Sequence, residues 1–349
     1  MATNDVMKPF RKVLAIRLSA LGDICMTLPV LDSVSRAYPD VQFTLLTSKA
    51  GAIVMETMLH QPNLSVKVIN KRDYNGIAGL NRLYKELKAL DVDAVADLHD
   101  VLRTQWVDLR FWLSGKPVKR IQKGRSEKKA LTTGAIHRQL TTSVERYRQV
   151  FSALGLDFTI DYDGASYAAL FREKPCAVPP EKLSVGIAPF AQHRGKVYPE
   201  TLMRQMLSHL VEQLPEVKIY LFGGPDEQEV LDTWVADHPE HIVNLAGRQT
   251  IEDDLRCMAN LKLMVSMDSA NMHLASLVGL RCISIWGATH RYAGFLGYRQ
   301  NEDDCIELEL PCRPCSIYGN KPCKYGDYRC LTKIEPKVVA QRIKDILTQ

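Results

Sequence analysis

The chain has 349 residues, 46% apolar and 24% charged, with a net charge of +5. That length exceeds the usual single hydrophobic core and predicts two domains, and the composition is that of a globular protein. The small positive balance does not argue for nucleic acid; it suits an acidic small molecule or an anionic membrane surface. Apolar runs fall short of a membrane span, and the opening MATNDVMKPFRK lacks the apolar segment of a secretory signal. A cytoplasmic protein is therefore expected, with its nine cysteines mainly reduced.

Taken in order, KVLAIRL (12–18) is a buried strand, SALGD the turn after it, and ICMTLPVLDSVSRAYP a helix stopping near Pro39. VQFTLLT is the next strand and AGAIVMETML the next helix. VKVIN, AVADLH and VKRIQ are further short strands separated by helical pieces such as AGLNRLYKELKAL. Strands alternating with helices predict a parallel sheet covered on both faces.

REKPCAVPPEKL (172–183), with three prolines, reads as a linker, and the pattern then restarts. SVGIAPF is a new first strand, followed by the loop AQHRGKVYP and the helix ETLMRQMLSHLVEQL. KIYLFGG, IVNLAG, LMVSMD and CISIWG complete a second strand set. The expected domains are 1–172 and 184–335, the latter with a cysteine-rich loop at 305–330. A last helix at 336–349 is expected to pack across the boundary. Ligands of such sheets bind beyond the carboxyl ends of the strands, which makes a cleft between the halves the default site.

Four strand ends carry residue types suited to chemistry. Asp268 and Ser269 stand where a strand hands over to a helix, so either can cap it. The free N–H groups of the first turn form a phosphate site that the small Ser269 and Ala270 leave accessible, with His273 one turn in. His193, Arg194 and Lys196 follow the first strand of the same half, as a cationic partner for a diphosphate or as a solvated basic loop. Glu227 can accept hydrogen bonds from a ribose, as can Asp226 or Glu229. Asp23 closes the first strand of the other half, as a general base or as a helix cap. There is no G-x-G-x-x-G fingerprint and no Walker loop. The D-x-D strings DVD and DYD look structural, so no metal-held diphosphate is expected.

Together IRLSALGDICMTLPVL, DLHDVLRTQ, IAPFAQHRGKVYPE, SMDSANMHLASLVGL and WGATH resemble glycosyltransferase family 9, the ADP-heptose:lipopolysaccharide heptosyltransferases. The tail PCRPCSIYGNKPCKYGDYRCL is similar to the heptosyltransferase II branch. The resemblance implies a GT-B fold, two Rossmann-like doubly wound α/β domains facing a central cleft. It also implies inverting transfer of heptose from an ADP-sugar donor to an acidic, lipid-linked inner-core acceptor, with no metal required for catalysis. The protein would touch the inner membrane surface peripherally and bind no nucleic acid. Asp23 matches the catalytic base, Lys196 the cation on the departing ADP, and Asp268, Ser269, Ala270 and His273 the nucleotide-diphosphate loop. Ala270 stands where the family has glycine, and Phe190 and Tyr198 where it often has Gly and Trp. Lys71, Arg72, Arg103, Arg125, Lys128 and His137 are the cations expected to grip an acidic acceptor. Another nucleotide sugar, another surface-polysaccharide acceptor, or a non-catalytic sugar-nucleotide-binding relative are the alternatives.

Cys312, Cys315, Cys323 and Cys330 form C-x2-C-x7-C-x6-C. Four thiols in so short a segment can bind structural zinc; reduced thiols in a packed loop and disulfides are the other readings.

Overall fold

A computed structural model describes residues 10–172, 174, 176–179 and 181–349. The opening residues, and Glu173, Pro175 and Pro180 of the expected linker, lie outside the described residues. The chain forms two compact units, one holding residues up to Lys123 plus Val144–Tyr162, the other Gly124–Ser143 plus Asp163–Gln349.

The first unit runs β1 (Lys12–Ile16), α1 (Leu21–Ala37), β2 (Gln42–Thr47), α2 (Lys49–Met58), β3 (Leu64–Val68), α3 (Gly76–Lys88), β4 (Ala94–Asp97), α4 (Leu102–Leu113) and β5 (Val118–Arg120). The chain then gives α5 (Arg125–Thr132) to the other unit and returns with α6 (Ser143–Ser152). All strands are parallel, in the order β3-β2-β1-β4-β5, with Ile16 in register with Leu46 and Asp97. Val13 to Ile16 are completely buried, as expected of an inner parallel strand covered on both faces. The D-x-D strings are structural. Asp93 accepts the backbone N–H groups of Arg11 (2.8 Å) and Lys12 (3.0 Å), and Asp161 pairs with Arg36 at 2.5 Å.

The second unit continues with α7 (Gly164–Arg172), β6 (Ser184–Ala188), α8 (Glu200–Gln213), β7 (Lys218–Leu221), α9 (Gln228–Val235), β8 (Ile242–Asn244) and α10 (Ile251–Asn260). β9 (Leu263–Met267), α11 (Ala270–Leu277), β10 (Cys282–Ile285), β11 (Cys305–Ile306), α12 (Arg329–Thr332) and α13 (Pro336–Leu347) follow. Its order, β11-β10-β9-β6-β7-β8, is again all parallel and repeats the first unit's order read from the other edge. The expected strands are present; β11, two residues long, carries too little pattern to read.

The expected boundaries move. α7, assigned by sequence to the first domain, packs on α10 and α11 of the second unit, and Arg172 Nε donates to the Ala259 carbonyl at 2.9 Å. The segment 124–143 also joins the second unit, through Leu140 N–H to Tyr292 O and Ser143 N–H to Gly294 O, both 2.9 Å. The last helix packs within the second unit. α13 lies on α8, and Val339, Ala340 and Ile343 are completely buried in the second core with Met203, Met206 and Leu210. Tyr198, also buried there, donates its hydroxyl to the Ile334 carbonyl at 2.7 Å and so secures the entry to α13.

Gly164 meets the turn after α11 so closely that a Cβ on it would lie 2.5 Å from Gly279 N and 2.8 Å from Leu277 O. Backbone cannot yield as a side chain does. Gly164→Ala is expected to cost roughly 1–3 kcal/mol of stability, read as a lowered denaturant midpoint; an unchanged midpoint would show that α7 moves away freely.

Candidate active site

In each sheet the winding reverses next to the first strand, between β1 and β4 and between β6 and β9. Loops leaving neighbouring strands there diverge to opposite faces, so a crevice opens at the strand ends. Asp23, Lys196, Asp268, Ser269, Ala270 and His273 fall at these two reversals.

In the first unit Asp23 lies in the first turn of α1. Its carboxylate accepts the Ala20 N–H at 3.3 Å, pairs with Arg17 Nη2 at 2.5 Å, and faces the Tyr147 hydroxyl at 3.4 Å. It thus both caps the helix and remains partly open, 29% exposed. Arg17 is fixed from behind by Nη1 to the Leu98 carbonyl, 2.7 Å, and its guanidinium lies 5.6 Å from the Tyr147 ring centre. Beyond β4, Asp97 is completely buried and accepts the His99 and Asp100 N–H groups and the Thr104 hydroxyl at 2.7–3.0 Å. His99 is buried beside Arg17 and Lys123, and burial together with those charges lowers its pKa to about 3. Asp108 is raised to about 8 by burial and the Asp97 charge, with Arg120 Nε at 2.5 Å opposing. Arg17, His99 and Tyr147 were not found from sequence. The signal for Arg17 was a charge at the end of a buried strand run, KVLAIRL; Tyr147 carries no local signal.

In the second unit Ser269 occupies the N-cap position of α11, yet its hydroxyl bonds Ser266 Oγ at 3.1 Å instead of the helix. The first turn is left without a side-chain cap, the condition for binding an external anion. Ala270 opens the helix and is absent from the positive-φ residues, so replacing the family glycine strains nothing here. His273 is buried one turn in. Lys196 Nζ pairs with Asp268 at 2.9 Å, both largely buried. Glu227 is half-buried, its carboxylate raised by burial and accepting the Gly224 N–H at 2.8 Å.

The cysteine-rich loop frames this site. A Cβ on Gly319 would come within 2.6 Å of the Lys196 side chain, and one on Gly195 within 2.8 Å of the Gly319 carbonyl. Ala288 donates to Gly195 O at 2.7 Å and accepts from Cys315 and Ser316 N–H at 3.1 and 3.2 Å. Arg313, buried, spans the Gly287 and Thr289 carbonyls and Glu307 at 2.6–2.9 Å. Cys330 lies near Cys312, Cys315 and Cys323, without forming a group of ligand atoms within 4.8 Å of one another. The one trio of Cys, His, Asp or Glu ligand atoms within 4.8 Å of one another, among the described residues, is His137, His290 and Glu309. Cys323 is held down by the N–H groups of Tyr325, Tyr328 and Gly326, whereas burial raises Cys315, and Cys330 to about 11.

The expected acceptor cations do not gather in one unit. Lys71, Arg72 and Arg103 stay in the first, with Arg103 Nη1 on the Tyr74 carbonyl at 2.8 Å. Arg125, Lys128 and His137 go to the second. Lys128 Nζ sits 4.4 Å from the Phe295 ring centre, and His137 stacks edgewise on His290 and Tyr292 at 5.5 and 5.1 Å.

One doubly wound sheet with an uncapped, lysine-flanked helix N-terminus and another with a partly open carboxylate are the parts of an enzyme of the nucleotide-sugar transferase type. The comparisons give the family: the model of glycosyltransferase family 9 (heptosyltransferase) matches residues 80–326, and the chain belongs to that family. Lipopolysaccharide heptosyltransferase 1 of Pseudomonas aeruginosa is 23% identical over 96% of this chain and 98% of its own length. Among solved structures, a family 9 glycosyltransferase of Veillonella parvula has a TM-score of 0.72 at 19% identity, covering 97% of each chain. E. coli heptosyltransferase WaaC with ADP has a TM-score of 0.68 at 19% identity, covering 96% of this chain and 99% of that one. The fold is accordingly GT-B, and the protein is a glycosyltransferase.

Within the His137–His290–Glu309 trio, His290 is held as a neutral ring. His290 Nδ1 accepts the Tyr292 N–H at 3.1 Å, which puts the neutral ring's proton on Nε2, the atom a metal would need. Burial, then the charges of Arg313, Arg291 and His137, lower its pKa to about 3. The unfolded ring titrates near 6.5, so the unfolded chain binds the extra proton first and stability falls as pH drops below about 6.5. His290→Asn keeps an acceptor for Tyr292 and removes that proton. Wild type is expected to lose about 1–2 kcal/mol more than the variant between pH 7 and pH 5 in urea unfolding; parallel losses would refute a neutral buried ring.

Proposed function

We propose that the protein transfers heptose from ADP-heptose to an acidic, lipid-linked inner-core acceptor of lipopolysaccharide, by single displacement without a catalytic metal ion. The observation that carries the reading is the Lys196–Asp268 pair beside the uncapped head of α11. That position suits the diphosphate of a leaving ADP, and the related E. coli enzyme WaaC was solved with ADP.

In this mechanism the first unit activates the acceptor. Asp23 takes the hydroxyl proton while the acceptor oxygen forms its bond to the anomeric carbon from the face opposite the diphosphate, inverting that centre. The bond to the diphosphate oxygen breaks and its electron pair leaves with ADP. Arg17, paired with it at 2.5 Å, keeps the carboxylate aimed. Lys196 exchanges Asp268 for the diphosphate, and the N–H groups around Ser269, Ala270 and His273 meet the charge that develops. Preorganised donors of this kind contribute about 3 kcal/mol each. Lys71, Arg72 and Arg103 are placed to hold acidic groups of the acceptor; Glu227, with one oxygen on Gly224, offers the other to a ribose hydroxyl.

ADP is expected to raise the melting temperature equally with magnesium and with EDTA, and more than UDP or GDP does. Asp23→Asn should retain that shift and fold normally while losing transfer of heptose to core oligosaccharide at least 10³-fold. Wild-type turnover in the variant would remove Asp23 from the chemistry, and protection that needs magnesium would remove the metal-free mechanism.

Lys196 depends on the cysteine-rich loop for its place. Gly319, with φ +74° and its Cα face against the lysine stem, leaves no room for a methyl group. Gly319→Ala should therefore weaken ADP binding about tenfold in titration calorimetry; undiminished affinity would show that the lysine is placed without this loop.

A further inference from the structure

Four of the large apolar side chains that stand exposed belong to α4: Leu102 (86%), Leu109 (42%), Trp112 (64%) and Leu113 (65%). The helix turns Thr104, Val107, Asp108 and Phe111 into the core. At 100° per residue that buried stripe is centred opposite Leu102, Leu109 and Leu113, so α4 is apolar on two faces and only one is covered. Ile77, 66% exposed, stands at the head of α3, which packs against α4. Solvent-facing apolar residues are unremarkable singly, but a stripe along one helix marks a contact surface.

We infer that this face of α4 rests on the surface of an anionic lipid bilayer. Between His99 and Lys123 the chain has six cations, Arg103, Arg110, Lys116, Lys119, Arg120 and Lys123, and two acids, Asp100 and the buried Asp108. Arg110 leaves the stripe sideways, its guanidinium 4.7 Å from the Tyr84 ring centre, and Lys119 and Arg120 are exposed beyond the helix end. Beside Trp112 a hollow of about 420 Å³ is lined by Lys119, Arg120 and Arg146 and by Asp108, which pairs with Arg120 at 2.5 Å, so three cations face one acid there. An apolar strip with an interfacial tryptophan and flanking cations is the pattern of a helix lying in the headgroup layer. A second copy of the chain is the poorer occupant. Twofold pairing through α4 would set these cations against themselves. The inference deepens the proposed function, since a lipid-linked acceptor lies at such a surface, but it stands on α4 alone.

The test uses the full chain and vesicles without substrate, so its outcome is independent of the donor reading. Wild type should sediment with phosphatidylglycerol-rich vesicles, not with phosphatidylcholine ones, and release at 0.5 M salt. The triple variant Leu109→Ser, Trp112→Ser, Leu113→Ser should bind those vesicles at least tenfold more weakly while keeping the wild-type melting temperature and ADP shift. Trp234 and Trp286 are completely buried and Trp106 is half-buried on the same helix, so a blue shift of tryptophan emission on vesicle binding that persists in Trp106→Phe and disappears in Trp112→Phe would place the Trp112 ring in the lipid. Equal vesicle binding by wild type and triple variant would overturn the inference. So would a concentration-dependent dimer that the triple variant abolishes, with no vesicle binding by either.

Discussion

A parallel strand cannot turn straight back into its neighbour; each must cross over through a helix, and the crossovers keep one hand. A sheet that grows first to one side and then to the other therefore has one place where successive loops separate. Here that place falls beside β1 in one unit and beside β6 in the other. Asp23, Lys196 and Asp268 stand at those ends because the inner strands themselves are covered on both faces. Val13 to Ile16 and Ser184 to Ala188 have no free face on which a charge could be solvated. The chemistry thus follows from topology before any particular residue is considered.

What the two reversals do with that opening differs. In the first unit the acid is restrained by a buried arginine that is itself tied to the Leu98 carbonyl, so one guanidinium joins the end of β1 to the end of β4. In the second the helix head is left bare because Ser269 is diverted to Ser266, while Lys196 waits on Asp268. A carboxylate held in place suits proton removal. Unspent N–H groups and a lysine with an exchangeable partner suit an anion that arrives and leaves.

Most of the α/β order was legible because strand and helix differ in apolar period, and KVLAIRL or SVGIAPF followed by an amphipathic run admits few other readings. The residues Asp23, Lys196 and Asp268 were legible for a related reason: polar types at a strand end stand out from what precedes them. The unit boundaries were not legible. Nothing local in 124–143 says that its backbone will bond to Tyr292 and Gly294, and α7 is assigned by a glycine-to-backbone approach that composition does not reveal. Arg17 was missed because a lone charge after a strand usually means a surface position, whereas here its partners lie 6 and 81 residues away.

The cysteine-rich loop has a role that its thiol spacing does not announce. C-x2-C-x7-C-x6-C suggested a tetrahedral metal site, and Cys312, Cys315, Cys323 and Cys330 do lie near one another. The same segment also braces the lysine. Cys315 N–H bonds Ala288 O, Ala288 N–H bonds Gly195 O, and Gly319 lies on the lysine stem. Each contact uses backbone or an absent side chain, so the features that matter are Gly195, Gly319 and the turn-forming residues between the thiols. A loop closed against the Lys196 segment limits where that ammonium can go, and it does so through hydrogen bonds of ordinary length that cost little to form once β10 and β6 are in place. The dense cysteine pattern accompanies a compact, turn-rich brace whose work is positional, and the lysine it holds is the one that the strand-end argument had independently selected.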